Sequence, residues 1–159
     1  MKQFSRFFIV FFLLVSTYSC TTTSVEEVET TYYKNQVSSM EEEILELVNQ
    51  HRASIGMNTL EFDGIAYDYA IAHTKDMINK QAISHDDFDQ RSSNLTVEAK
   101  ANYVSEIVGR NFVTAKGVVD AWLKSDSHRR AIEGDYIFSA VSAQADANGV
   151  FYFTQMFYR

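Results

Sequence analysis

Four histidines are the residues of this chain best suited to acid–base chemistry or metal binding: His51, His73, His85 and His128. Imidazole is the one side chain whose ordinary titration lies near neutral pH, and it is a common metal ligand. His85 follows Ser84 and opens an acidic run of Asp86, Asp87 and Asp89. That run fits no calcium loop, because no glycine hinge and no twelfth-position Glu follow, so it reads as a solvated loop. His73 lies on or beside an apolar stripe, where it is a satisfied core histidine or a cavity ligand. His128 follows Ser125-Asp126-Ser127. Ser127 as a helix cap would set His128 in the first helical turn, near unpaired backbone N–H groups, either lining a cavity or in a structural hydrogen bond. The acid that stands out is Glu106, in Tyr103-Val104-Ser105-Glu106-Ile107-Val108-Gly109. In a strand, Glu106 shares a face with Val104 and Val108, and a carboxylate among apolar neighbours must find a partner or be driven neutral. Ser84 and Ser105 are nearby hydroxyls, but neither sits in a Gly-x-Ser-x-Gly elbow.

The elements that must position these groups are legible in the periodicity. Ser39 and Glu42 fit a capping box, and Ile44, Leu47, Val48 and His51 fall on one face of a helix over 40–54, stopped by Gly56. Asp63 can cap a second helix in which Ala66, Tyr69, Ala70, His73 and Met77 keep helical spacing to about Gln81. Residues 83–100 are polar and read as a long loop with at most a turn of helix. After the Glu106 strand, Thr114 can cap a third helix that turns Val118, Val119, Trp122 and Leu123 inward. Two strands close the chain, about 137–146 and 150–158, joined at Asn148-Gly149, a hairpin signal because both residues tolerate positive φ. Phe151, Phe153, Gln155 and Phe157 alternate with Tyr152, Thr154, Met156 and Tyr158, so a Phe row faces helices and the other face carries hydroxyls.

The chain has 159 residues with ordinary globular composition, room for one domain plus extras. Lys2 and Arg6 precede a continuous apolar run from Phe7 to Val15, and small or polar residues lead to Ser19-Cys20. This is a secretory signal pattern, too short for a comfortable membrane span. Removing residues 1–19 takes away Lys2 and Arg6 and leaves 12 basic against 21 acidic residues, a net charge of −9. Such a balance excludes nucleic acid as a partner, since phosphates need a basic footprint. Residues 21–38, rich in Thr, Ser, Glu and Tyr, read as a tether. Cys20 is the single cysteine, so no internal disulfide exists.

The segment ending in Cys20 resembles a bacterial lipoprotein signal, which implies lipidation of that cysteine; Thr17 departs from the usual leucine. The rest resembles the CAP superfamily of cysteine-rich secretory, antigen 5 and pathogenesis-related 1 proteins, in its bacterial secreted, SCP-like branch. The resemblance runs over about 40–159. It is carried by Leu47-Val48-Asn49-Gln50-His51-Arg52, Ala72-His73-Thr74-Lys75-Asp76-Met77 ahead of Ser84-His85, Glu106, Trp122-Leu123-Lys124-Ser125-Asp126-Ser127-His128-Arg129, and Tyr152-Phe153-Thr154-Gln155-Met156-Phe157. It implies an α+β fold, a three-layer α-β-α sandwich around a small, mainly antiparallel sheet, with a cleft on one side. In the family two histidines and two acids often line that cleft and hold a divalent metal. His85 matches the first histidine and Glu106 the glutamate, within a degraded Ser105-Glu106-Ile107. Tyr152 stands where the second histidine would be, and the second acid has no match. His128 matches the histidine-arginine motif of the bacterial branch and could supply a second nitrogen.

The expected organisation is a signal peptide over 1–19, a tether over 20–38 and a CAP domain over 39–159. The expected protein is a monomer, lipid-anchored through Cys20 to a bacterial outer membrane or cell surface. Its cleft, lined by His85, Glu106, His128 and Tyr152, would bind a lipid, a small apolar ligand, a glycan or a peptide without catalysis. The alternatives are a protease-like hydrolase using His85 and Glu106, and a structural envelope or adhesion protein. No cofactor is required; His85, Glu106 and His128 offer weak zinc binding at most, because one imidazole and one carboxylate make a poor site.

Overall fold

The computed structural model describes residues 32–159. The signal peptide over 1–19, Cys20 and most of the tether therefore lie outside the described residues. The elements run α1 (Ser39–Ser54), β1 (Glu61–Phe62), α2 (Gly64–Lys80), α3 (Phe88–Glu98), β2 (Val104–Arg110), α4 (Ala115–Lys124), α5 (Asp126–Ile132), β3 (Phe138–Ala145) and β4 (Phe151–Tyr158). The strands form one sheet in the order β1-β3-β4-β2, with β1 parallel to β3 and the other pairs antiparallel.

Strand alternation divides the core between two helical layers. Ile107, Val141, Phe153 and Phe157 face α1 and α4, meeting Ile44, Val48, Val118 and Trp122. Ala140, Met156 and Tyr158 face α2 and α3, meeting Ala66, Ala70 and Leu95. The result is the α-β-α sandwich with a small, mainly antiparallel sheet. Thr74 of α2 donates to Thr154 of β4 at 2.9 Å, tying one helical layer to the sheet. Gln155 points the other way and donates to Ser139 Oγ at 3.0 Å. The buried Arg52 guanidinium donates to the carbonyls of Asn58, Ile132, Gly134 and Tyr136, joining the end of α1 to the α5–β3 link.

Both edges of the sheet are closed by side chains. Trp122 Nε1 donates to the Val108 carbonyl of edge strand β2 at 2.9 Å. Its ring comes this close because residue 109 is glycine: a Cβ there would lie 3.3 Å from Nε1 and 3.1 Å from Val118 Cγ2. On the other side β1 covers only two residues of β3. Beyond them Glu41 Oε1 accepts from Ala143 N at 2.7 Å. An unpaired strand edge invites further strands, and a buried carboxylate or indole on it blocks them.

The structure departs from the sequence reading at several points. The α1 capping box is built from Ser38 and Glu41, one residue earlier than the Ser39–Glu42 box. Both boxes exist in the sequence; Glu41 wins because it also reaches Ala143 N and the Tyr67 hydroxyl. Residues 83–100 contain an eleven-residue helix, α3, rather than a loop. Ser125, not Ser127, begins α5. At the hairpin only Gly149 has positive φ, and Asp146 Oδ1 accepts from Asn148 N and Val150 N to fix the turn. The end of the expected tether is packed on the domain: the Tyr33 hydroxyl donates to Asp68 at 3.0 Å, and Val37 packs against the α2 side of the core.

Candidate functional site

Glu106 sits on β2 opposite Met156 of β4 and faces the α2/α3 layer. Its side chain is 1% exposed. A buried carboxylate must be compensated, and here three elements do so. Arg91 of α3 donates through Nε to Oε2 at 2.8 Å and through Nη2 to Oε1 at 2.9 Å. His85, on the turn between α2 and α3, places Nδ1 2.8 Å from Oε1. His73 of α2 holds Nε2 3.7 Å from the same oxygen and 2.8 Å from the Ser84 carbonyl. His73 is thus a satisfied core histidine that also borders the carboxylate.

The network fixes proton positions. A carboxylate and a carbonyl only accept, so His85 Nδ1 and His73 Nε2 carry the hydrogens. In the neutral His85 ring, Nε2 is then the lone-pair nitrogen, on a side chain that is 51% exposed. Arg91 also pins the turn itself, donating through Nη1 to the Asp86 carbonyl at 2.7 Å. Asp87 adopts φ 58° at the start of α3. The neighbouring Asp86 pairs with Lys80 at 3.1 Å, which holds its carboxyl below the usual range. The acidic run therefore shapes the turn.

His85, Glu106, Phe88, Val104 and Ser105 line a hollow of about 250 Å³ at the β2 edge. His128 of α5 lies near it: burial first, and then the charge of His85, hold His128 below its ordinary titration range. The structure thus joins His85 and Glu106 in one hollow, with His128 outside its lining but near enough to His85 to feel its charge. Tyr152 does not join the hollow. It pairs with Arg110, four residues along β2 from Glu106, and packs fully buried against Met77 and Val108. The Arg110 guanidinium lies over the Tyr152 ring at 4.8 Å, and among the described residues the Tyr152 hydroxyl has no hydrogen-bond partner.

The donor set does not suit a resident metal. Both Glu106 oxygens accept from a guanidinium, whose charge opposes a second cation. Among the described residues no group of three or more His, Cys, Asp and Glu side chains is placed to hold a metal ion. Arg91 is the site residue that periodicity concealed. Phe88, Arg91 and Leu95 hold helical spacing and face inward, but the middle position is charged, so the stripe reads as broken.

A second cavity lies elsewhere. It measures about 860 Å³ and lies at the opposite edge of the sheet, between α1, β1 and residues 33–37. The polar cluster and this cavity are therefore separate features.

Comparison with known proteins agrees with this architecture. An uncharacterized membrane protein of Bacillus subtilis, YlbC, is 28% identical over 131 residues, covering 79% of this chain and 36% of its own length. The chain spans well under half the length of the curated relatives it matches. An outer surface protein from Borrelia burgdorferi superposes with a TM-score of 0.68 at 21% identity, covering 77% of this chain and 96% of that one. An extracellular protein containing a SCP domain from Bacillus anthracis superposes with a TM-score of 0.66 at 20% identity, covering 88% and 45%. Residues 45–157 match the cysteine-rich secretory protein family, CAP. Its only cysteine lies outside that region, but by this match and by its sandwich the chain belongs to the CAP family.

Proposed function

We propose that the chain is an extracytoplasmic, lipid-anchored CAP-domain protein of a bacterial envelope, and that it binds a ligand without catalysing a reaction. The observation that carries binding over catalysis is the bidentate grip of Arg91 on Glu106. A carboxylate so engaged has both oxygens committed to a guanidinium, which suits a positioning group better than a reacting one. It serves to orient His85, leaving Nε2 and the neighbouring His128 to meet a polar group of the ligand over Phe88 and Val104. A lipid, a small apolar ligand, a glycan or a peptide could present such a group. The anchor reading is supported by the apolar run ahead of Ser19-Cys20 and by similarity to a membrane, an outer surface and an extracellular protein.

A hydrolase reading draws on one feature, the carboxylate–imidazole pair with Nε2 open, which is how a general base is held. Digestion of a broad peptide library decides between them. Binding without turnover is the expected result; cleavage abolished in Glu106→Gln would establish an enzyme. Native mass spectrometry of the full chain, wild type against His85→Ala, should show a co-purifying ligand lost in the variant. The anchor is tested by Cys20→Ala, which should release the protein from membranes or block its maturation; unchanged detergent partitioning would refute it.

A further inference from the structure

The cavity at the β1/β3 edge, remote from the His85 cluster, has the make-up of a second binding site. Its volume of about 860 Å³ lies in the range of small-molecule sites. Its walls are apolar and aromatic: Tyr33 and Val37 from the segment before α1, Leu45 of α1, Phe62 of β1 and Val141 of β3. Phe62 is 39% exposed although it belongs to a strand. On the rim, Glu42 and Glu46 stand one turn apart on α1, both exposed. Glu46 accepts from Gln50, and among the described residues the Glu42 carboxylate has no ion-pair or hydrogen-bond partner. Two further acids in the lining are already occupied: Glu41 by Ala143 N and the Tyr67 hydroxyl, and Asp63 by Ala66 N as the cap of α2. Lys34 is the single basic residue of the lining.

We propose that this cavity binds a small organic cation, an amine on an apolar, preferably aromatic, body. The apolar walls would take the body, and the Glu42–Glu46 pair would take the ammonium. The rings of Tyr33 and Phe62, whose centroids are 5.9 Å apart, add a face that favours cations. An anionic ligand with the same body meets repulsion at the rim. The segment just before residue 32 is a poor occupant on the same ground, because it carries Glu26, Glu27 and Glu29.

The test uses three probes with one body: 4-phenylbutylamine, 4-phenylbutanol and 4-phenylbutyrate. Each is titrated by calorimetry into the full chain in a neutral detergent, with detergent alone as blank. The amine should bind roughly tenfold or more tighter than the alcohol, with the carboxylate weakest, and added salt should narrow the gap. Glu42→Gln with Glu46→Gln, both surface changes, should reduce the amine to the affinity of the alcohol. Leu45→Trp should fill the cavity and abolish all binding, with melting temperature as the check on folding. Equal affinity for the three probes, a preference for the carboxylate, or amine binding untouched by the double glutamine variant overturns the proposal. Amine binding that appears only after deletion of residues 21–31 would assign the cavity to the chain's own segment and overturn it as well.

Discussion

Arg91 Nε and Nη2 hold the two carboxylate oxygens of Glu106 at 2.8 and 2.9 Å, across the interface between α3 and β2. The pair is buried on both sides, with 10% and 1% of the side chains exposed. A planar fork on a carboxylate fixes orientation as well as charge. It thereby fixes the oxygen that His85 Nδ1 meets, and with it the direction of the open Nε2.

Removing one partner of such a pair strands the other. Arg91→Met should destabilise the fold by about 3–5 kcal/mol, because Glu106 stays buried without its cation. Arg91→Lys should recover part of this, since an ammonium restores the charge but not the fork. Urea unfolding of the three proteins checks the order. An Arg91→Met variant within about 1 kcal/mol of wild type would show that the pair is not needed for stability.

The same geometry sets the metal affinity. With Glu106 held by Arg91, and His73 turned to the Ser84 carbonyl, zinc should bind no more tightly than about micromolar. Any residual binding should weaken at acidic pH, because the ligand is the neutral imidazole. Calorimetry on wild type and His85→Ala reads this directly. Nanomolar binding lost in the variant would contradict the assignment.

His128 gives the fold an acid-sensitive point. Burial, and secondarily the charge of His85, keep it below its ordinary value of 6.5. The unfolded chain therefore binds this proton more readily than the folded one. The associated stability is intact above about pH 6.5 and falls as pH drops through and below that value. His128→Asn should lose less stability than wild type between about pH 7 and 5. Parallel urea midpoints against pH for the two proteins would rule out the effect.

The regular, apolar-striped elements are the legible part of this sequence. α2 and α4 begin at their expected caps, Asp63 and Thr114, and β2 and β4 alternate as read. Glu106 is conspicuous because two valines flank its face, and the structure pairs it with His85. The α3 helix is hidden because its inward stripe of Phe88, Arg91 and Leu95 contains a charge, and a charge faces inward only when a distant partner waits for it. That partner is fifteen residues away, beyond the reach of any local pattern. Tyr152 shows the opposite limit. Its place in a motif suggests the cleft, yet strand register puts it opposite Arg110, away from Glu106.

Tyr152 offers a clean contrast with the working polar groups. Its ring fills the space among Met77, Val108 and Val150, but its hydroxyl is buried with no partner among the described residues. Such a group forfeits its water hydrogen bonds for nothing, at a cost of roughly 1–3 kcal/mol. Tyr152→Phe should therefore be neutral or stabilising, with ligand binding at His85 unchanged. A loss above about 1 kcal/mol, or lost ligand, would show that the hydroxyl serves the site.

Trp122 does two jobs at once, and substitution can separate them. Its ring is 2% exposed and meets Phe153 edge-on at 6.4 Å, filling the layer between α4 and the sheet. Its Nε1 also supplies the donor for the Val108 carbonyl on the open edge of β2. Trp122→Ala should cost about 3–5 kcal/mol through the cavity left beside Gly109. Trp122→Phe keeps most of the apolar bulk but leaves the carbonyl unpaired, which should cost about 1–3 kcal/mol beyond the volume change. Because Val108 lies two residues from Glu106 on the same strand, loosening this edge should also disturb the hollow. The amide hydrogens of residues 104–110 should then exchange faster in Trp122→Phe than in wild type, while those of β3 are unaffected. Unfolding free energies and exchange rates together test this: a phenylalanine variant as stable as wild type, with β2 equally protected, would show that the indole N–H contributes nothing to closing the edge.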